Sequence, residues 1–139
     1  MKTFKLDIVS AEKSLFNGAV QRISVSGLLG DLGIEPGHTP LLSPLKPGQV
    51  LLVHESGVVG YFYISGGILE VQADHVTILA DTCIRGEELD ESAAEQAKQA
   101  AKEQLDNASA GSDYSKALSD LAQASAQLRM IKELKNARR

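Results

Sequence analysis

The feature that most constrains this fold is a change of grammar at Gly86. Before it, apolar runs are short and each is punctuated by Gly, Pro or Asp; after it, residues 87–139 contain no proline and a single glycine, Gly111. Frequent punctuation suits short strands joined by turns, and its absence among Ala, Leu, Glu, Gln and Lys suits helices. The chain therefore divides into a β region, residues 1–86, and a helical region, residues 87–139.

Within the first region Phe4, Leu6 and Ile8 alternate with Lys5, Asp7 and Val9, the period-2 pattern of a half-buried strand. Val20, Ile23 and Val25 precede Gly27. Val50–His54 and Val58–Ile64 flank Glu55-Ser56-Gly57, and Ile68–Val71 and Val76–Leu79 flank Ala73-Asp74, two hairpin signals. Short strands at regular spacing predict a β-sandwich or flattened barrel, and no helix-length segment separates them, which disfavours a parallel α/β fold. The stretch Gly30–Gly48, GDLGIEPGHTPLLSPLKPG, holds four glycines and all four prolines, together with Leu32, Ile34, Leu41, Leu42 and Leu45. Turn-makers mixed with aliphatics predict a rigid, packed surface loop system.

In the second region Asp90 or Ser92 can cap a first helix, with Ser92 and Glu95 spaced as a capping box. Ala94, Ala97, Ala101, Leu105 and Ala108 mark one face, and Gly111 ends the helix. A second begins at Ser112 or Asp113, with the stripe Tyr114, Leu118, Leu121, Ser125, Leu128 and Ile131. The pattern predicts an antiparallel two-helix hairpin. An alanine face buries little apolar area at about 25 cal/mol per Å², so the hairpin suits either a switch with a small gap between docked and released states or a plain packed appendage. Composition by itself favours the appendage. Charge sorts along the segment: Gly86–Asp120 carries nine acids and three bases, and Leu121–Arg139 carries five bases and one acid, Glu133. The basic end suits an acidic partner surface, and also suits the helix macrodipole.

Bulk numbers exclude several classes. A net charge of −4 at pH 7 supplies no basic field for nucleic acid, and 4% aromatics without tryptophan leave few rings for stacking bases or sugars. One cysteine, Cys83, precludes an internal disulfide and fits a reducing compartment. MKTFKLDIV has no apolar h-region, and no apolar run approaches the about 20 residues that span a bilayer, so membrane work is expected to be through partners.

Catalytic motifs are wanting. Gly27, Gly30 and Gly33 form G-x-x-G-x-x-G, with neither GK[ST] nor a following helix to receive phosphate, and turns account for them better. His38, His54 and His75 lie 16 and 21 residues apart, without short ligand spacing. Ser65-Gly66-Gly67 lacks a nucleophile elbow, Cys83 has no adjacent His, and the acids Glu87, Glu88, Asp90 and Glu91 fall at a helix start, where the dipole explains them. Catalytic, cofactor and metal residues are accordingly expected to be none. The residues leave open a binding or structural protein, a free-standing β-sandwich ligand-binding module, and a cupin-like enzyme using a histidine site.

Ser10–Gly18 (SAEKSLFNG), the Gly30–Gly48 stretch, Tyr63–Val71 (YISGGILEV), Val76–Asp81 and the Ala-rich tail together resemble the epsilon subunit of bacterial F-type rotary ATP synthases, from Leu6 to about Leu134. The resemblance implies a flattened ten-stranded β-sandwich followed by a two-helix hairpin. It implies a non-catalytic central-stalk subunit that links gamma to the membrane ring and couples rotation to ATP synthesis, at the cytoplasmic face of a bacterial inner (plasma) membrane. It places Ser10, Asp31, Ile34, Pro36 and His38 at the interface with gamma and the ring, Asp31 as the acid facing the ring. It also implies that the helices extend toward the catalytic alpha/beta heads and inhibit ATP hydrolysis, with Arg129, Lys132 and Lys135 as contacts. One family feature is broken: where an [IL]-D-x-x-R-A motif binds ATP, Leu89-Asp90 stand but Ala93 replaces the arginine, and position 100 is also alanine. Phosphate charge would then go largely unpaired, so ATP binding is expected to be weak or absent.

Overall fold

The structure, a computed structural model, describes residues 2–107 and 112–137. The chain divides into two compact units, Met1–Glu87 and Glu88–Arg139.

The first unit contains eight strands: β1 (Phe4–Ser10), β2 (Ser14–Gly27), β3 (Gly30–Ile34), β4 (Leu41–His54), β5 (Val59–Ile64), β6 (Gly67–Val71), β7 (His75–Ala80) and β8 (Cys83–Arg85). They hydrogen-bond in the order β3-β2-β1-β7-β6-β4-β5-β8, and a further β2–β4 pairing closes the array. All pairings are antiparallel except β1 with β7. The two 14-residue strands explain the sandwich. The first half of β2 pairs with β1 and its second half with β3 and β4; the first half of β4 pairs with β6 and its second half with β5. Each long strand thus passes from one layer to the other, and counting their halves separately gives the ten strands expected. Register shifts mark the passage, at Val20/Arg22 and Val25/Gly27 of β2.

Alternation then fills the space between the layers. Leu6 and Ile8 of β1, Leu69 and Val71 of β6, and Val76 and Ile78 of β7 meet Ile23 and Val25 of β2, Ile34 of β3, Val50 and Leu52 of β4, and Phe62 and Ile64 of β5 in one aliphatic core. Each such side chain, fully buried, contributes about 1.5–3 kcal/mol.

The Gly30–Gly48 stretch differs from the expected loop system. Gly30–Ile34 is strand β3, and β4 runs through Pro44 and Pro47. Proline lacks the N–H that a central strand donates. Pro44 sits in the half of β4 paired with β6, opposite Ile68. Pro47 lies between the β6-paired segment ending at Leu45 and the β5-paired segment starting at Gly48, at the corner where β4 changes layers. Only residues 35–40 remain loop.

The motifs singled out around Ser65 and Asp81 are knitted to each other. Ser65 N–H donates to the Thr82 carbonyl at 3.1 Å and Asp81 N–H to the Gly66 carbonyl at 2.9 Å. Ser65 Oγ accepts from Thr82 N–H at 2.9 Å and lies 2.8 Å from Thr82 Oγ1. Ser65 is therefore a turn-holding hydroxyl.

The second unit pairs α1 (Glu91–Asn107) with α2 (Ser112–Ala137). Asp90 is the N-cap: its Oδ1 accepts from Ala93 N–H at 3.2 Å and its carbonyl accepts from Ala94 N–H at 3.0 Å. Ser92 lies inside the helix, so it does not cap. An ion pair between Lys135, near the end of α2, and Glu91, at the start of α1, shows the helices to be antiparallel. The buried positions among the described residues are Ala94 and Ala101 on α1 and Ala117, Ala124, Ala126, Met130 and Ile131 on α2; Ala94 and Ala101, and Ala117, Ala124 and Ile131, repeat at seven-residue spacing. The expected faces hold at Ala94, Ala101 and Ile131 and are displaced elsewhere. Ala97 is exposed, and Tyr114 and Leu118 are 44% exposed beside the buried Ala117. Small residues let helix axes approach closely, so alanine takes the seam and leucine flanks it. Ala108 and Gly111 lie outside the described residues.

Candidate functional site

The described residues offer a surface rather than a cleft with chemistry. Gly27 pairs with Gly30, and the hairpin between β2 and β3 lifts Leu28 and Leu29 away from the sandwich. Their exposures, 60% and 105%, are those of side chains with nothing over them, and Leu42 on β4 is 67% exposed. Burying large aliphatics is favourable, so leucines exposed at a hairpin tip mark a surface suited to a partner. Between the tip and the start of β4 lies a groove of about 400 Å³ lined by Leu28, Leu29, Leu32, Leu41 and Pro44, with Asp31 as its one acid. Apolar walls with a single carboxylate suit an apolar partner carrying a few polar groups.

A second apolar row continues from it. Pro44 is paired with Ile68, Ile68 with Leu79 and Leu79 with Val9, crossing β4, β6, β7 and β1. Ile68 and Leu79 are exposed large apolar side chains, and Val9 is half-buried. On these strands the alternate residues Leu69, Ile78 and Ile8 point into the core, so the row lies on the outer face of its layer. Pro44 belongs to both features and joins them.

The expected interface residues distribute unevenly over this surface. Asp31 sits on β3 at the groove, exposed. Ser10 ends β1 next to Val9, its Oγ donating to the Lys13 carbonyl at 3.4 Å. A cross-strand row, Gly30–Gly27–Leu45–Gly67–Ala80–Ser10, connects their two neighbourhoods. Pro36 and His38 lie on the loop that returns from β3 to β4. That loop is a turn in which Pro36 fixes φ, Gly37 takes φ +83°, and His38 N–H donates to the Glu35 carbonyl at 3.2 Å. His38 Nδ1 lies 2.7 Å from the Thr39 carbonyl, which orients the ring. Ile34 requires correction: at 1% exposure it belongs to the sandwich core and supports the loop from beneath instead of meeting a partner. Leu28, Leu29, Leu42, Ile68 and Leu79 were missed by sequence reasoning. The signal for the tip was two adjacent leucines between glycines, a place where a turn normally carries polar residues.

On α2 the three expected cations follow one another at three-residue spacing, on neighbouring positions of the helix surface. All three are exposed, and Lys135, one turn after the buried Ile131, also pairs with Glu91.

The histidines are separate. His38 is on the β3–β4 loop, His54 Nδ1 lies 3.0 Å from Ser56 Oγ, and His75 Nε2 pairs with Asp7 Oδ2 at 3.0 Å. Among the described residues no three His, Cys, Asp or Glu side chains gather as a metal site. Cys83 is half-buried, and burial pushes its thiol up to about 11, against the lowering influence of Arg85 and Lys13. Arg85 is committed to the fold: its Nη2 donates to the Leu15 carbonyl at 3.1 Å and its guanidinium lies 5.6 Å from the Phe62 ring centre. No helix among the described residues is long and apolar enough to cross a membrane.

Comparison with known proteins completes the picture. By fold the chain is similar to a chain of the Euglena gracilis mitochondrial ATP synthase, in a cryo-EM structure of OSCP, F1 and c-ring. There the TM-score is 0.74 at 20% identity, covering 99% of this chain and 82% of that one. It is likewise similar to a chain of the Tetrahymena thermophila mitochondrial ATP synthase central stalk and c-ring, with TM-score 0.68 at 18% identity, covering 94% of this chain and 97% of that one. Residues 3–86 match the ATP synthase delta/epsilon chain β-sandwich domain and residues 87–132 the delta/epsilon chain long α-helix domain, so the chain belongs to the ATP synthase delta/epsilon family.

Proposed function

We propose that this chain is the non-catalytic epsilon-type subunit of the central stalk in a proton-translocating rotary ATP synthase, joining gamma to the membrane ring and helping couple rotation to ATP synthesis. The observation that carries the reading is the exposed leucine tip beside Asp31, joined through Pro44 to the apolar row Ile68–Leu79–Val9. A family member with one continuous apolar surface suits a subunit that must hold two partners at once: the ring at the tip, gamma along the row and the loop of Pro36 and His38. Ser10 borders the gamma-facing part. Membrane association then comes only through these partners, and we place the chain at the cytoplasmic face of a bacterial plasma membrane.

The helical unit is read as a brake on ATP hydrolysis. Arg129 and Lys132 are exposed on α2 and supply cations for acidic surface on the catalytic alpha/beta heads once the hairpin opens. Because Ala93 stands where an arginine, and Ala100 where another basic residue, would neutralise phosphate, ATP binding to the hairpin is weak or absent. Calorimetric titration is expected to give no saturation at micromolar ATP, and micromolar affinity would reverse this point.

The test of the reading is hydrolysis by a matched catalytic core stripped of this subunit, with either the full chain or residues 1–86 added back. Binding by both and inhibition by the full chain alone support an anchor plus a brake. Binding by both without inhibition removes the brake, and binding by neither removes the anchor. Leu29→Asp in the full chain is expected to weaken assembly at least tenfold while leaving stability within about 0.5 kcal/mol, as for an exposed interface anchor.

A further inference from the structure

The open end of the hairpin carries a contact that neither the seam nor the family reading requires. Lys135 Nζ is hydrogen-bonded to Glu91 Oε2, joining residues 44 apart in sequence. Glu91 is the first residue of α1 and Lys135 lies in the last turn of α2. In an antiparallel pair these are adjacent termini of opposite dipole, the positive end of α1 beside the negative end of α2. Each side chain already complements its own helix, so pairing them adds attraction between the helices at the point where the hairpin must part.

The same geometry imposes a competition. Arg129 and Lys132 are exposed to solvent, whereas the Lys135 ammonium is engaged by an acid of its own chain. An ammonium already paired with Glu91 has one donor committed and its charge partly neutralised, so a carboxylate on another protein gains less from it. Both side chains remain more than half exposed, at 60% and 52%, so the pair is open to salt and reversible instead of locked. Below it, only Met130 and Ile131 are large among the described buried side chains, and the rest of the seam, Ala94, Ala101, Ala117 and Ala124, is alanine. Apolar resistance to opening is therefore modest, and one ion pair can shift the balance between joined and parted ends.

We propose that Glu91 is an intramolecular competitor for the basic end of α2: its pairing with Lys135 latches the open end of the hairpin and masks a cation that the helix needs to engage an acidic partner. The masking half rests on the brake reading given above; the latch itself does not.

Two measurements separate these halves. In the full chain with Cys83→Ala, spin labels at Glu95→Cys and Asn136→Cys report the distance between the helix ends. Raising salt from about 0.05 to 0.5 M is expected to increase the separated fraction about twofold to fivefold. Glu91→Gln and Lys135→Gln are each expected to give the high-salt distribution at low salt, and the exchange Glu91→Lys with Lys135→Glu to restore the joined state. Superimposable distributions for all variants at every salt concentration overturn the latch.

In hydrolysis by the stripped catalytic core, Glu91→Gln is expected to lower the concentration for half-inhibition about twofold to fivefold. Lys135→Gln, which opens the hairpin but removes the cation, is expected to raise it. Variants shifting inhibition in the same direction overturn the masking, because simple loosening of the hairpin would move both alike. A full chain that binds without inhibiting overturns the brake reading and the masking together, while the distance measurement still decides the latch.

Discussion

The two units of this chain are held by different means. In the sandwich, Leu6, Ile8, Val20, Val50, Ile64, Leu69 and Ile78 show no or almost no exposure, and each is clasped by strands from both layers. In the hairpin the buried side chains are mostly alanine, with Met130 and Ile131 the only large ones among the described residues. A buried isoleucine contributes about 1.5–3 kcal/mol, whereas a buried methyl contributes nearer 0.8. The first unit is built to keep one shape under load, and the second to keep its shape by a narrow margin. That division suits an anchor joined to a regulatory element.

The comparison is broken most directly at Gly67. Its φ is +151°, and an added Cβ would stand 2.1 Å from the Leu79 carbonyl oxygen, an approach no backbone shift in a paired strand easily relieves. Gly67→Ala is expected to destabilise the sandwich by about 3–5 kcal/mol, combining backbone strain with a forced displacement of β7. Urea unfolding followed by circular dichroism checks it, and a loss below 1 kcal/mol would mean that β6 and β7 are less tightly joined than their pairing indicates. Next in size is Ile78→Ala, which empties a site at the centre of the core and is expected to cost about 2–5 kcal/mol by the same measurement.

On the hairpin side, Ala101→Gly removes one methyl from the seam and loosens the helix backbone. It is expected to cost about 1 kcal/mol. Asp90→Ala, which leaves Ala93 N–H without its cap, is expected to cost about the same, read as lost helicity at 222 nm. A hairpin variant costing as much as Ile78→Ala would erase the distinction between the units.

What the sequence disclosed follows the same division. Alternation in β1, β6 and β7 was legible because one face of each is core and the other is not. The change of grammar at Gly86 was legible because helices exclude the punctuation that turns need. Three things were not. Prolines in Pro44–Pro47 suggested loop, because a sequence does not announce which side of a strand lacks a neighbour. The helix seam was read through the larger leucines, although close packing selects the smaller alanine at 117 and 124. Ile34 was expected at an interface because the resemblance places its whole stretch there; on β3 its own side chain alternates inward. The leucine tip escaped for a related reason, since exposure of Leu28 and Leu29 is set by the hairpin that carries them and not by their own chemistry.

The smallest expected effect concerns Cys83, on the edge strand β8 of the more rigid unit. Burial raises its thiol from 9.0 to about 11, so the folded protein holds this proton where the unfolded chain releases it. Between pH 9 and 11 the unfolded state therefore binds fewer protons than the folded state, and stability must fall as pH rises through that window, with no contribution from this group below it. The same shift leaves about a hundredfold less thiolate than a free cysteine carries at neutral pH. Alkylation by iodoacetamide at pH 8 is accordingly expected to be about two orders of magnitude slower than for a small thiol, and to recover on unfolding in urea. Fast alkylation of the folded chain would show that β8 opens readily from β5, and that the sandwich has a loose edge within its otherwise closed core.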